Sequence, residues 1–156
     1  MKTLEYGPYQ LYESNDCLPV KWFKFIFTRL TVGKEYIIKG VCHVPQTTTN
    51  SGKVIPEWDG ILLESKATGK LFPVSLSTLT GTGFIKNNDG KYTIIRTSKI
   101  SFEDIEDILC CESFTVMEVE KMKVTDFNNE EITKDFYLFT NIVYLPKGKE
   151  RKYKAI

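Results

Sequence analysis

VKWFKFIFTRL (residues 20–30), LTVGKEYIIKGV (30–41) and DGILLESKATGKLFPVSL (59–76) decide the fold. The first run admits two readings. On a helix, Lys21, Lys24 and Thr28 would form a polar stripe. On a strand, Phe23, Phe25 and Phe27 share one face, and Trp22, Ile26 and Leu30 share the other. Aromatic and branched side chains fill pleated surfaces well, which favours the strand. Gly33-Lys34 marks a turn, and Tyr36 to Val44 reads as the next strand. By strict alternation, Ile38, Cys42 and Val44 share one face, and Ile37, Val41 and His43 the other. Gly40 in its middle predicts a bulge or a close backbone approach. Residues 61–65 and 71–76 form a hairpin around KATGK, with Gly69 at the left-handed position. Pro73 cannot donate to a ladder and predicts an edge strand.

Working outward, residues 84–86 and 91–96 make another hairpin, whose Asp89-Gly90 pair predicts a type I′ turn. Ser101 reads as the N-cap of a short helix ending near Cys110, with Glu103 and Asp104 in its first turn. Residues 113–127 form a long strand whose apolar parity slips, so a bulge near Glu118 is expected. Residues 136–145 are nearly all apolar and read as a strand covered on both faces. Tyr6, Tyr9 and Tyr12 surround a Gly7-Pro8 break. They predict an extended arm laid on the core, with a mobile recognition arm as the alternative.

The fold class is therefore mainly β: a small SH3-like or OB-like barrel with a further β-hairpin, one short helix and two long C-terminal strands. Residues 1–156 are expected to form a single domain. The alternative subdivision is a small barrel at 18–80, a second β-rich half at 81–146 and a basic tail at 147–156.

The net charge is only +1, but it is unevenly placed: residues 103–135 hold eleven acidic and three basic side chains. A whole-chain electrostatic case for nucleic acid is absent, leaving only a local one. MKTLEYGPYQLYESND (1–16) has no apolar core for a signal peptide, and no run is apolar enough to span a bilayer. A cytoplasmic protein without membrane contact is expected, with Cys17, Cys42, Cys110 and Cys111 as free thiols.

No catalytic signature emerges. His43 and Cys42 are adjacent on a strand and point to opposite faces, so they make no nucleophile–base pair. Cys110-Cys111 lacks zinc or redox spacing. Asp126-x-Asn128-x-Glu130 opens like a calcium loop, but Glu131 and Tyr137 stand where Gly and Glu are needed. No phosphate-binding loop, nucleophile elbow or zinc-protease motif occurs. The reading is not an enzyme, with no cofactor and no metal.

The candidate interaction residues are Trp58 and the tail residues Lys147, Lys149, Arg151, Lys152, Tyr153 and Lys154. Trp58 lies in the long polar loop 45–60 and suits an interface anchor; the alternative is a ring folded back over one barrel end. The tail cations suit phosphates; the alternative is a solvated tail, or one docked on the acidic block.

Leu30, Thr31, Gly33, Lys34 and Tyr36, with Pro73 and Ser75, resemble the turn and edge hairpin of small SH3-like barrel proteins of phage and bacterial genomes. The resemblance covers residues 20–80. It implies a fold and a phage or mobile-element origin, hence a host-cell or virion location, and no activity. The order three strands, helix, two strands is also that of an OB-fold. The function expected first is a non-catalytic protein-interaction or structural module with a protein partner. The second is a single-stranded nucleic-acid-binding protein of OB type.

Overall fold

The computed structural model describes residues 30–44, 46–48, 52, 54–97, 101–125 and 129–151, and the backbone of 3–6 and 9–12. The aromatic run at 20–29, Cys17 and the tail residues Lys152, Tyr153 and Lys154 lie outside the described residues. The chain is mainly β, built from antiparallel strands, with two short helices among the described residues.

The strands are β1 (Thr3–Tyr6), β2 (Tyr9–Tyr12), β3 (Glu35–Val44), β4 (Thr47–Thr48), β5 (Val54–Ile55), β6 (Trp58–Ser65) and β7 (Leu71–Ser75). Helix α1 (Leu76–Thr80) follows, then the hairpin β8 (Thr82–Lys86) and β9 (Tyr92–Arg96). Helix α2 (Ile105–Leu109) leads into β10 (Cys111–Thr125) and β11 (Glu131–Tyr144). β3 is the hub. One of its edges pairs with β6, which pairs with β7. Its other edge is shared by β10 at residues 35–37 and by β2 at residues 42–43. β11 pairs with β10. The five-strand order is thus β7-β6-β3-β10-β11, and β7 and β11 do not pair, so no closed barrel forms among the described residues.

Two expectations are corrected at the start of the chain. The N-terminal arm is a hairpin, β1–β2, docked on β3 through Gln10↔His43 and Leu11↔Cys42. The loop 45–60 contains the small pair β4–β5, and its last residues already belong to β6.

Gly40 carries the expected bulge. The β3–β6 register shifts between Ile38 and Gly40, and Gly40 sits at φ 140°. The bulge puts Tyr36, Ile38 and Val41 together in the principal core. Cys42 and Val44 then alternate to the opposite face, with Leu62, and are buried there too. Strict alternation had grouped Ile38 with Cys42; the extra residue at the bulge changes the parity.

The core is aromatic. Phe114 of β10 packs against Phe139 of β11 at 4.6 Å, Phe102 at 5.8 Å and Tyr36 at 6.0 Å between ring centroids. Tyr36 meets Phe72 of β7 edge-on at 5.8 Å. Register shifts between Cys111 and Glu118 let β10 face this core while pairing with both neighbours. In β11, Phe136, Tyr137 and Phe139 are buried as expected and Ile142 packs partly buried against the core, but Val143 and Tyr144 are exposed.

The helix starts differ from expectation. Asp104, not Ser101, caps α2, its carboxylate accepting from the Asp107 N–H at 3.0 Å. The Ser101 hydroxyl instead donates to the Thr80 carbonyl at 2.8 Å. α1 was not expected. Ser75 is its N-cap, and Gly81 closes it at φ 67°, a left-handed position where glycine carries no Cβ penalty.

Candidate interaction surface

The β8–β9 hairpin lies across β10 and β11. Gly83 makes this approach possible. A Cβ there would stand 2.7 Å from Val124 Cγ1 and 3.0 Å from the Phe136 ring. At the tip, the Asn87 N–H bonds the Lys91 carbonyl and the Gly90 N–H bonds the Asn87 carbonyl. Only Gly90 has positive φ there, at 83°. A type I′ turn needs two such residues, so the turn is a type I with glycine at a bulge. The Asp89 carboxylate stabilises it by accepting from the Lys91 N–H at 2.9 Å.

Four contacts fasten the hairpin. The Lys86 N–H donates to Thr125 Oγ1 at 3.0 Å, and the Tyr92 hydroxyl donates to Asn129 Oδ1. Thr97 Oγ1 donates to Glu120 at 3.2 Å, and the Arg96 guanidinium to the Phe102 carbonyl at 2.8 Å. Gly83 and Ile95 pair on the inner face. The outward parity therefore carries Thr82, Phe84, Lys86, Tyr92, Ile94 and Arg96, with no carboxylate among them. Phe84 and Ile94 are directly opposite one another. Phe84 is 45% exposed, Tyr92 52% and Ile94 67%. Two large rings and a branched side chain on a fastened two-stranded platform form a low-entropy apolar contact surface. The sequence reading found this hairpin but not its surface. Ile85 and Ile95 alternate with Phe84 and Ile94, so both faces are apolar and the pattern does not say which is covered.

The residues singled out in sequence fare unevenly. Trp58 is half-buried in β6, paired with Val44. Its ring lies over Gly60, where a Cβ would also meet the Val74 carbonyl oxygen at 2.8 Å. The ring thus packs back on its own strand. Lys147 and Lys149 are exposed around a turn at Gly148. Arg151 turns inward. Its guanidinium donates to the carbonyls of Cys111 at 2.6 Å and Leu109 at 3.3 Å, and to that of Ile38. Among the described residues, Trp58 is therefore not brought together with Lys147, Lys149 or Arg151 into one surface.

Flanking Trp58, Glu57 and Asp59 both reach His43. Asp59 Oδ1 lies 2.8 Å from His43 Nδ1, and Glu57 Oε2 lies 3.2 Å from Nε2. The Asp59 hydrogen bond holds the imidazolium above the usual histidine range; partial burial opposes this, and Glu57 adds to it. The unfolded-state histidine titrates near about 6.5. Because the folded value is the higher one, the stabilisation is fully present below about 6.5 and is lost as pH rises through the folded value. The melting-temperature difference between the wild type and His43→Gln is thus expected to be larger at about pH 6 than at about pH 9. A pH-independent difference would show that the imidazolium contributes nothing.

Burial pushes the Cys42 thiol up, and the Cys111 thiol up to about 12, so neither is a ready thiolate. Among the described residues no three metal-ligating side chains converge. None of the described helices is long and apolar enough to cross a membrane. No known protein family, curated protein or solved structure matches this chain.

Proposed function

We propose that the chain is a protein-interaction module that docks a partner protein on the outer face of β8–β9. The observation that carries this reading is the exposure of Phe84, Tyr92 and Ile94 together on one fastened face. Aromatic side chains are enriched among the residues that dominate interface energies, and Lys86 at the margin suits a partner with an acidic residue beside its apolar contact. Retention of a partner from cell extract tests it. Phe84→Ser/Ile94→Ser keeps the inner face intact and is expected to weaken capture at least about 30-fold, an anchor loss of about 2 kcal/mol or more. Undiminished capture by this variant would remove β8–β9 as the docking face.

The strand order favours a second reading. With both helices between β7 and β10, the order β7-β6-β3-β10-β11 supports an OB-type arrangement, whose members often bind single strands. Charge pairing weighs against it. Lys39 of β3 is bound by Glu64 at 3.3 Å, and Lys66, in the turn after β6, by Glu35 at 3.2 Å. Cations already neutralised in this way release few counterions on meeting a phosphate chain. A labelled single-stranded oligonucleotide separates the readings: tight, steeply salt-dependent binding would put the OB reading first.

A further inference from the structure

β11 meets α1 at the seam where the sheet order leaves β7 and β11 unpaired. Lys134 of β11 points into this seam. Its Nζ lies 2.6 Å from Ser77 Oγ and 3.3 Å from the Thr82 carbonyl oxygen, with the Phe136 ring centroid at 5.7 Å. Ser77 Oγ is also 2.9 Å from Ser75 Oγ, which in turn accepts from the Thr78 N–H at 3.2 Å and lies 2.8 Å from Thr78 Oγ1. No carboxylate pairs with Lys134 among the described residues. A lysine in such a place is unusual, because a half-buried ammonium is ordinarily matched by a counter-charge.

We propose that Ser77 is a nucleophile with Lys134 as its base, and that this pair takes an acyl group from an activated carboxylic ester. A hydroxyl within hydrogen-bond reach of an amine that is itself oriented by a third group is the geometry nucleophilic catalysis requires. The third groups here are the Thr82 carbonyl and the Phe136 ring. Burial without a counter-charge pushes Lys134 below the ordinary lysine range, which raises the fraction of neutral amine near neutral pH. In that form Nζ accepts the Ser77 proton, and the Ser75 hydroxyl turns to donate to Ser77 Oγ. Ser77 Oγ then bonds the ester carbonyl carbon, the bond from that carbon to the leaving oxygen breaks, and Lys134 passes the proton to the leaving oxygen. Water reverses the sequence: its oxygen takes the acyl carbon, its proton goes to Lys134, and Ser77 Oγ leaves and is reprotonated. The pair has no sequence motif, because 57 positions separate the two residues. It does not use Phe84, Tyr92 or Ile94, though the Thr82 carbonyl that holds Lys134 belongs to the first residue of β8.

The test uses the intact chain and p-nitrophenyl acetate, with the acetyl group located by peptide mass spectrometry. In the wild type Ser77 is acetylated, and the rate rises with pH to a plateau below about 10.5, the ordinary lysine value. Lys134→Arg keeps the donor contacts of a structural strut but cannot lose a proton at these pH values. It is expected to lower Ser77 acetylation about 100-fold, the low end for a positioned general base. Ser77→Ala removes the adduct. Absence of acetyl on Ser77 together with p-nitrophenol release no faster than that of Ser77→Ala overturns the proposal, as does an unchanged rate in Lys134→Arg; either outcome leaves Lys134 as a strut across the seam.

Discussion

Phe114→Ala is expected to lower the unfolding free energy by about 3–5 kcal/mol, read from urea denaturation. Phe114 is fully buried and touches rings from three other segments: Phe139 of β11, Phe102 before α2 and Tyr36 of β3. It sits where β10 pairs with both neighbours, since Ser113 faces Ile37 of β3 and Val143 of β11. Those backbone ladders hold the surrounding walls apart, so the space left by the ring cannot collapse fully, and the cavity adds to the lost transfer energy. The three edge-on or tilted ring contacts are lost as well. Phe84→Ala on the outer face of β8 is the control. It removes a ring of the same size that is about half in water already and is expected to change stability by about 1 kcal/mol or less. Equal effects at the two positions would mean that the β8–β9 outer face is packed in solution and that the aromatic cluster is not the centre of the core.

What the sequence showed was set by how local each determinant is. The strands, the Gly40 bulge and the edge position of Pro73 follow from side-chain alternation and from what Gly and Pro do to a backbone. A bulge can be foreseen at Gly40, but its effect on the faces depends on where the partner strand shifts. Val41 therefore joined Ile38 in the core against strict alternation. α1 was missed although Ser75 and Gly81 are ordinary caps, because LSTLT reads locally as strand; packing on β8 and β11 decides it. Ser101 and Asp104 are equally good N-caps, and the choice turned on the Thr80 carbonyl, which is distant in sequence. The candidate sites are less legible still. The Ser77–Lys134 pair and the exposed face of β8–β9 exist only through the placement of β11 and β10. Trp58 was chosen as a loop aromatic, but pairing with Val44 extends β6 to include it.

Arg151→Ala is expected to cost about 2–4 kcal/mol, although Arg151 belongs to a stretch that composition marks as a solvated basic tail. The reason lies in a gap on β3. On the edge away from β6, β10 pairs residues 35–37 and β2 pairs residues 42–43, so the Ile38 carbonyl falls between them. The Arg151 guanidinium fills this fork, donating to Ile38 of β3, to Cys111 at the start of β10 and to Leu109 at the end of α2. The Arg151 backbone N–H also reaches the Leu109 carbonyl, at 3.3 Å. Hydrogen bonds from a charged donor contribute about 1.5–3 kcal/mol each, and removing the donor leaves carbonyls with a lost partner in a half-buried place. Arg151→Lys should recover only part of the loss, because an ammonium is a point charge without the planar fork that addresses several carbonyls together. Lys149→Ala, two residues earlier and exposed, should change stability by about 0.5 kcal/mol or less. Urea unfolding of the three variants decides between the two views of the tail. If Arg151→Ala falls with Lys149→Ala, the guanidinium is solvated and the fork at Ile38 is bridged by something else. If it falls near Phe114→Ala, the tail is a structural clasp. Any tail deletion made to probe phosphate binding would then unfold the fork as well, and Lys147→Gln/Lys149→Gln is the variant that tests charge alone.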